Sequence, residues 1–128
     1  MLLDTHVWVR WLAPKARPLP GNALAAVDAA DSLAVSAISC WEVVNLHKRG
    51  RIDLGMDIDR WLGKALTGSG IECVPITREI AACAASLSEI HRDPADRFII
   101  ATALLAPYRL LTLDESIRQY REISELLA

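Results

Sequence analysis

Short apolar runs alternate with helix-length segments along the whole of this chain, and no other feature restricts its fold as strongly. The runs are Met1-Leu2-Leu3, then residues 32–36, 71–76 and 109–112. Segments 5–12, 22–30, 37–49, 57–67, 77–87 and 94–106 are predicted as helices, and a short one follows Asp114 as far as Tyr120. The punctuation agrees with this division. Pro14, Pro18 and Pro20 break the chain after the first helix, and Gly50 stops the third. Thr77 stands as an N-cap, and Asp93-Pro94 reads as a cap followed by proline at the first helical position. The tail, 121–128, is ambiguous.

Strand–helix alternation implies an α/β protein: a three-layer α/β/α sandwich around a central, mostly parallel sheet. A length of 128 residues, 52% of them apolar, suits one domain over 1–128. No linker or internal repeat divides it. Trp8, Trp11 and Trp61 are expected in the core. The longest mostly apolar stretch, 98–106, is too short to span a bilayer, and nothing at the N-terminus has the form of a secretion signal. A cytoplasmic protein is expected. Cys40, Cys73 and Cys83 form no C-x-x-C pair and are expected to be buried free thiols. His6, His47 and His91 have no zinc-ligand spacing.

The net charge of −2 excludes a protein that binds nucleic acid through overall basicity. Any such contact needs a local patch. Lys48, Arg49 and Arg51 are the densest basic group, and Arg97 neighbours an acid. These four are candidates for phosphate contact, although cations at a helix end are also favoured by the helix dipole. His6 either touches phosphate or fills the first helix turn, and the second is favoured.

In open parallel sheets, ligands bind beyond the carboxyl ends of the strands. Asp4 and Asp114 each follow a predicted strand, so both stand on that rim, where each also suits a plain helix cap. Glu42 shares an i, i+4 ridge with Ile38 and Leu46. A carboxylate so near the core needs a partner, a metal or a path to solvent. Asp93 is read as a cap. Asp96, at the third helical position, suits a capping box or a site facing inward.

Four blocks carry a family resemblance. They are Leu2-Leu3-Asp4-Thr5-His6, Ser36-Ala37-Ile38-Ser39-Cys40-Trp41-Glu42, Asp96-Arg97-Phe98-Ile99-Ile100-Ala101-Thr102-Ala103 and Leu111-Thr112-Leu113-Asp114. In this order they resemble a PIN domain, and most closely the VapC-type toxins of type II toxin–antitoxin systems. The segment His91-Arg92-Asp93-Pro94-Ala95-Asp96-Arg97 is similar to that of one branch of these toxins, in which the second Asp is the third acid of the pattern.

The resemblance implies that Asp4, Glu42, Asp96 and Asp114 are the catalytic, metal-binding acids. Asp93 is kept as an accessory acid or cap, and Thr112 as an accessory that orients a carboxylate or as an ordinary β-branched strand residue. Oxygen ligands suit Mg²⁺ or Mn²⁺. The implied activity is metal-dependent hydrolysis of RNA phosphodiesters, with a VapB-type antitoxin and a second copy of the chain as partners. A PIN-type nuclease of RNA or DNA processing without a toxin role remains an alternative. So does a nucleic-acid-binding module without catalysis, although such a module has no need of all four acids.

Overall fold

The computed structural model describes residues 1–13, 17–88 and 93–128. Pro14, His91 and Arg92, singled out above, lie outside the described residues. The elements follow the expected order: β1 (Leu2–Leu3), α1 (Thr5–Leu12), α2 (Gly21–Ala29), β2 (Ala34–Ser36), α3 (Ala37–Lys48), α4 (Ile58–Ala65), a 3-10 turn (Thr67–Ser69), β3 (Glu72–Val74), α5 (Arg78–Ser86), α6 (Pro94–Leu105), β4 (Leu110–Leu111) and α7 (Glu115–Arg118). The ambiguous tail forms a 3-10 segment over Arg121–Leu126. The strands are shorter than the apolar runs suggest. The additional apolar residues serve packing rather than ladder pairing.

The four strands form one parallel sheet in the order β3-β2-β1-β4. Neighbouring side chains on a strand point to opposite faces, and this sorts the core into two layers. Leu2, Ala34 and Leu110 lie on one face with Ile99, Ile100 and Ala103 of α6, Ile117 of α7, and Tyr120 and Ile123 beyond it. Leu3, Val35 and Leu111 lie on the other with Val7 and Trp8 of α1, Val27 of α2, Val43 of α3 and Trp61 of α4. The expected three-layer sandwich is present. The Trp8 and Trp61 rings meet with centroids 5.1 Å apart, and Trp8 Nε1 donates to the Ala65 carbonyl at 3.3 Å. Trp11 is partly buried against the same cluster. No helix among the described residues is long and apolar enough to cross a membrane.

Chain order reverses beside β1. The path steps from β1 to β2 to β3 on one side, then returns to place β4 on the other. The crevice at such a reversal opens at the carboxyl ends of β1 and β4. Asp4 directly follows β1, and its N–H donates to the Leu111 carbonyl of β4 at 3.1 Å.

Two expectations need correction. Cys73 is not buried: it sits exposed on β3, which among the described residues is an edge strand paired with β2. Cys40 and Cys83 are partly buried. Arg97, expected to contact phosphate, turns instead toward the end of α5. Its Nε donates to the Ala84 carbonyl at 3.1 Å, Nη1 to Ser88 at 2.9 Å, and Nη2 to Leu87 at 2.9 Å and Ala85 at 3.5 Å. The last carbonyls of a helix have no partner within it, and a planar guanidinium satisfies several at once. Replacing Arg97 with Ala should lower the unfolding free energy by on the order of 2–3 kcal/mol in urea titrations, because charge-assisted bonds to otherwise orphaned carbonyls are lost. Arg97→Lys should recover only part of that loss, having one point charge in place of the fork.

Candidate active site

Asp4 caps α1, with Oδ1 accepting from Val7 N–H at 2.8 Å. Its second oxygen accepts from the buried Thr112 hydroxyl. Thr112 Oγ1 in turn accepts from Asp114 N–H at 3.0 Å, and Asp114 Oδ1 accepts from Ser116 N–H at 2.8 Å. Thr112 therefore ties the end of β4 to the acid that follows β1, which is more than a strand residue contributes. The capping and the functional explanations of Asp4 and Asp114 do not compete. Capping fixes each carboxylate at the crevice.

Glu42 lies in the second turn of α3. Ser36 starts that helix, accepting from Ile38 N–H at 3.1 Å, and β2 passes into it without a loop. Glu42 Oε1 accepts from the Thr5 hydroxyl, and Thr5 Oγ1 is hydrogen-bonded to the buried Ser39 hydroxyl at 2.8 Å. Thr5 and Ser39 were not singled out from the sequence. Their signal was adjacency: Thr5 directly follows Asp4, and Ser39 precedes Glu42 by almost one turn.

Asp93 caps α6, accepting from Ala95 N–H at 3.0 Å, and Asp96 is buried in the first turn. Carboxylate oxygens of Glu42, Asp93 and Asp96 lie within 4.8 Å of one another. The accessory Asp93 thus stands in the same cluster as two of the four expected acids. Burial pushes the Asp4 carboxyl above the usual range despite the bonds from Thr112 and Val7, with Asp114 adding repulsion. Burial likewise raises Glu42 against the Thr5 bond, with repulsion from Asp93 and Asp4. Repulsion therefore connects Asp114 to Asp4, Asp4 to Glu42, and Glu42 to Asp93. His6 opposes it at both Asp4 and Glu42. His6 occupies the first turn of α1, as expected, and is exposed there.

This donor set fits a hard divalent cation. Every candidate donor is a carboxylate oxygen, and oxygens on opposite sides of a magnesium ion are about 4 Å apart. Two of these acids, Asp4 and Asp114, line a cavity of about 660 Å³ together with His6, Arg10, Arg17 and Arg51; Glu42, Asp93 and Asp96 lie outside its lining. Its floor includes Val9, Leu46, Ile52 and Leu113. Of the basic cluster expected to meet phosphate, Arg51 lines this cavity, whereas Lys48 and Arg49 are exposed at the end of α3 outside its lining. Arg10 holds the backbone carbonyls of Arg17 at 3.1 Å and Pro18 at 2.6 Å, which brings Arg17 to the cavity. Arg10 and Arg17 are far from Arg51 in sequence, and no local signal joined them.

A family model described as the PIN domain matches residues 1–123. Ribonuclease VapC22 of Mycobacterium tuberculosis (strain ATCC 25618 / H37Rv) is 40% identical over 122 residues, covering 94% of this chain and 92% of that protein. Among solved structures, a chain of a toxin–antitoxin complex from Klebsiella pneumoniae superposes with a TM-score of 0.66 at 23% identity, covering 92% of this chain and 89% of that one. A chain of FitAcB from Neisseria gonorrhoeae gives 0.60 at 23% identity, with 91% and 88% covered. At that identity the two superpositions speak for the fold alone.

The raised Glu42 pKa has a stability consequence in metal-free protein. A carboxyl raised in the folded state stabilises the fold fully below its unfolded pKa, and that contribution is lost as pH rises through the folded value. Ionised Glu42 therefore burdens the fold at neutral pH. Glu42→Gln keeps an acceptor for Thr5, so its metal-free melting temperature should exceed that of the wild type at neutral pH. The gap should close as pH falls into the ordinary carboxylate range. Divalent cation should raise the wild-type midpoint more than the variant's. Differential scanning fluorimetry across pH reads both effects, and a gap independent of pH contradicts the assignment.

Proposed function

Since this chain belongs to the PIN domain family, we propose that it is a metal-dependent endoribonuclease and the toxin half of a VapBC-type toxin–antitoxin pair. The observation that carries the proposal is convergence. Acids distant in sequence are linked through Glu42: Asp114 repels Asp4, Asp4 repels Glu42, and carboxylate oxygens of Glu42, Asp93 and Asp96 lie within 4.8 Å of one another. The 40% identical relative is named a ribonuclease over nearly the same length.

In this proposal Asp4, Asp96 and Asp114 would hold the principal Mg²⁺ or Mn²⁺, with Asp93 as an accessory, and Glu42 would hold a second ion or orient the water. When bound, the cation supplies Lewis acidity and neutralises charge on the phosphoryl oxygens. The chain provides the rest. Thr112 fixes one oxygen of Asp4 and so orients the other. Thr5 fixes Glu42 Oε1 and leaves Oε2 to take a proton from water. Arg51 and Arg17 face the RNA backbone from the cavity wall and balance phosphate charge. Lys48 and Arg49 extend that field at the mouth. The antitoxin and a second copy of the chain are its protein partners, and the cytoplasm its compartment.

The decisive measurement is cleavage of tRNA, rRNA and mRNA pools by purified protein with and without divalent cation. Cleavage should require the cation and disappear in Asp4→Asn and Asp96→Asn. Thr112→Val should lower metal affinity or activity about 10–100-fold, the usual cost of removing a hydrogen bond to a ligating carboxylate. Retained RNA binding without cleavage in the wild type would leave a binding module instead. Cleavage confined to DNA would favour a processing nuclease. A separate prediction concerns the cavity wall. Arg51→Ala should weaken RNA binding at every sequence tested and reduce the slope of log affinity against log salt by about 1. An unchanged slope removes Arg51 from the interface.

A further inference from the structure

Cys40 and Cys73 lie 33 residues apart in sequence, yet their sulfurs are 4.0 Å apart. The fold accounts for the meeting. β2 runs straight into α3, and β3 pairs with β2 so that Cys73 stands opposite Val35 and Val74 opposite Ser36. Side chains on a helix lean toward its N-terminus. Cys40, in the first turns of α3, therefore leans back over the sheet edge that presents Cys73. Cys73 is exposed and Cys40 partly buried, while Cys83 lies on α5. Neither member of the pair belongs to the acidic cluster.

We propose that Cys40 and Cys73 are a thiol-modification site that accepts a low-molecular-weight disulfide and closes to an intrachain disulfide. Cys73, the exposed member, reacts first. Its thiolate attacks one sulfur of the small disulfide, the S–S bond breaks, and one small thiolate leaves and takes a proton. Cys40 then gives its proton to solvent and attacks Cys73 Sγ, expelling the second small thiolate, which is protonated in turn. In sum, two protein thiols and one small disulfide become one protein disulfide and two small thiols, with two electrons passing to the small disulfide. Closure brings the sulfurs to about 2.05 Å. The required shift is absorbed at β3, which among the described residues pairs with a strand on one side only. Disulfides of this kind in reducing compartments are typically transient and redox-sensing.

The site does not depend on the nuclease assignment and is tested without it. Full-length reduced protein is incubated with oxidised glutathione, quenched with an alkylating agent, and read by intact mass and peptide mapping. The expected product has lost two hydrogens, carries a Cys40–Cys73 linked peptide, leaves Cys83 alkylated and reverts with dithiothreitol. Cys83→Ser should behave as the wild type, and Cys40→Ser should stop at a glutathione adduct on Cys73. A wild type that stops at that adduct, bridges through Cys83, links two chains or stays fully alkylated overturns the proposal.

Discussion

Mutual repulsion among carboxylates at the carboxyl ends of the strands is the constraint around which this molecule is arranged. Asp4 is held where burial disfavours its charge, with Asp114 close enough to disfavour it further, and Asp4 in turn disfavours the charge of Glu42. A protein selected for stability alone would avoid this arrangement, since unpaired buried charge is costly. A bound cation of two positive charges reverses the balance, turning the repelling oxygens into ligands. Perturbed carboxylates of this sort at the reversal of strand order mark a candidate functional site, and their oxygens could bind a divalent cation.

Hydroxyl groups hold the acids in place. Thr112 bridges Asp4 and the backbone of Asp114, and Thr5 bridges Ser39 and Glu42. The same residues build the fold: Asp4, Asp93 and Asp114 each start a helix with one oxygen. Capping residues at strand ends are thereby positioned without any dedicated scaffold. Around them the arginines divide their work. Arg97 closes the end of α5, Arg10 pins the segment that carries Arg17, and Arg51 reaches the cavity.

Much of the fold was legible in the chain because its signals are local. The apolar runs, Gly50 after α3, Thr77 before α5 and Asp93-Pro94 before α6 each act within a turn or two of themselves. Asp4 and Asp114 could be placed on the functional rim for the same reason: each ends an apolar run and begins a helix. The tail was not legible, because a 3-10 segment whose buried Ile123 answers to a distant core has no period of its own.

Other assignments had no local determinant. Arg97 beside Asp96 and Arg51 beside Arg49 look alike in sequence, yet one meets carbonyls of α5 and the other a cavity. Asp93 and Asp96 competed for one role in the sequence, whereas packing of α6 near α3 sets both carboxylates beside Glu42. Cys40 and Cys73 carry no motif and meet through strand pairing. The chain by itself determined which segments are strands and helices and which acids end them, since propensity, capping and period are written in neighbouring residues. Tertiary structure alone decided which of those acids, cations and thiols share a space, because strand order and helix packing are set by the burial of the entire core.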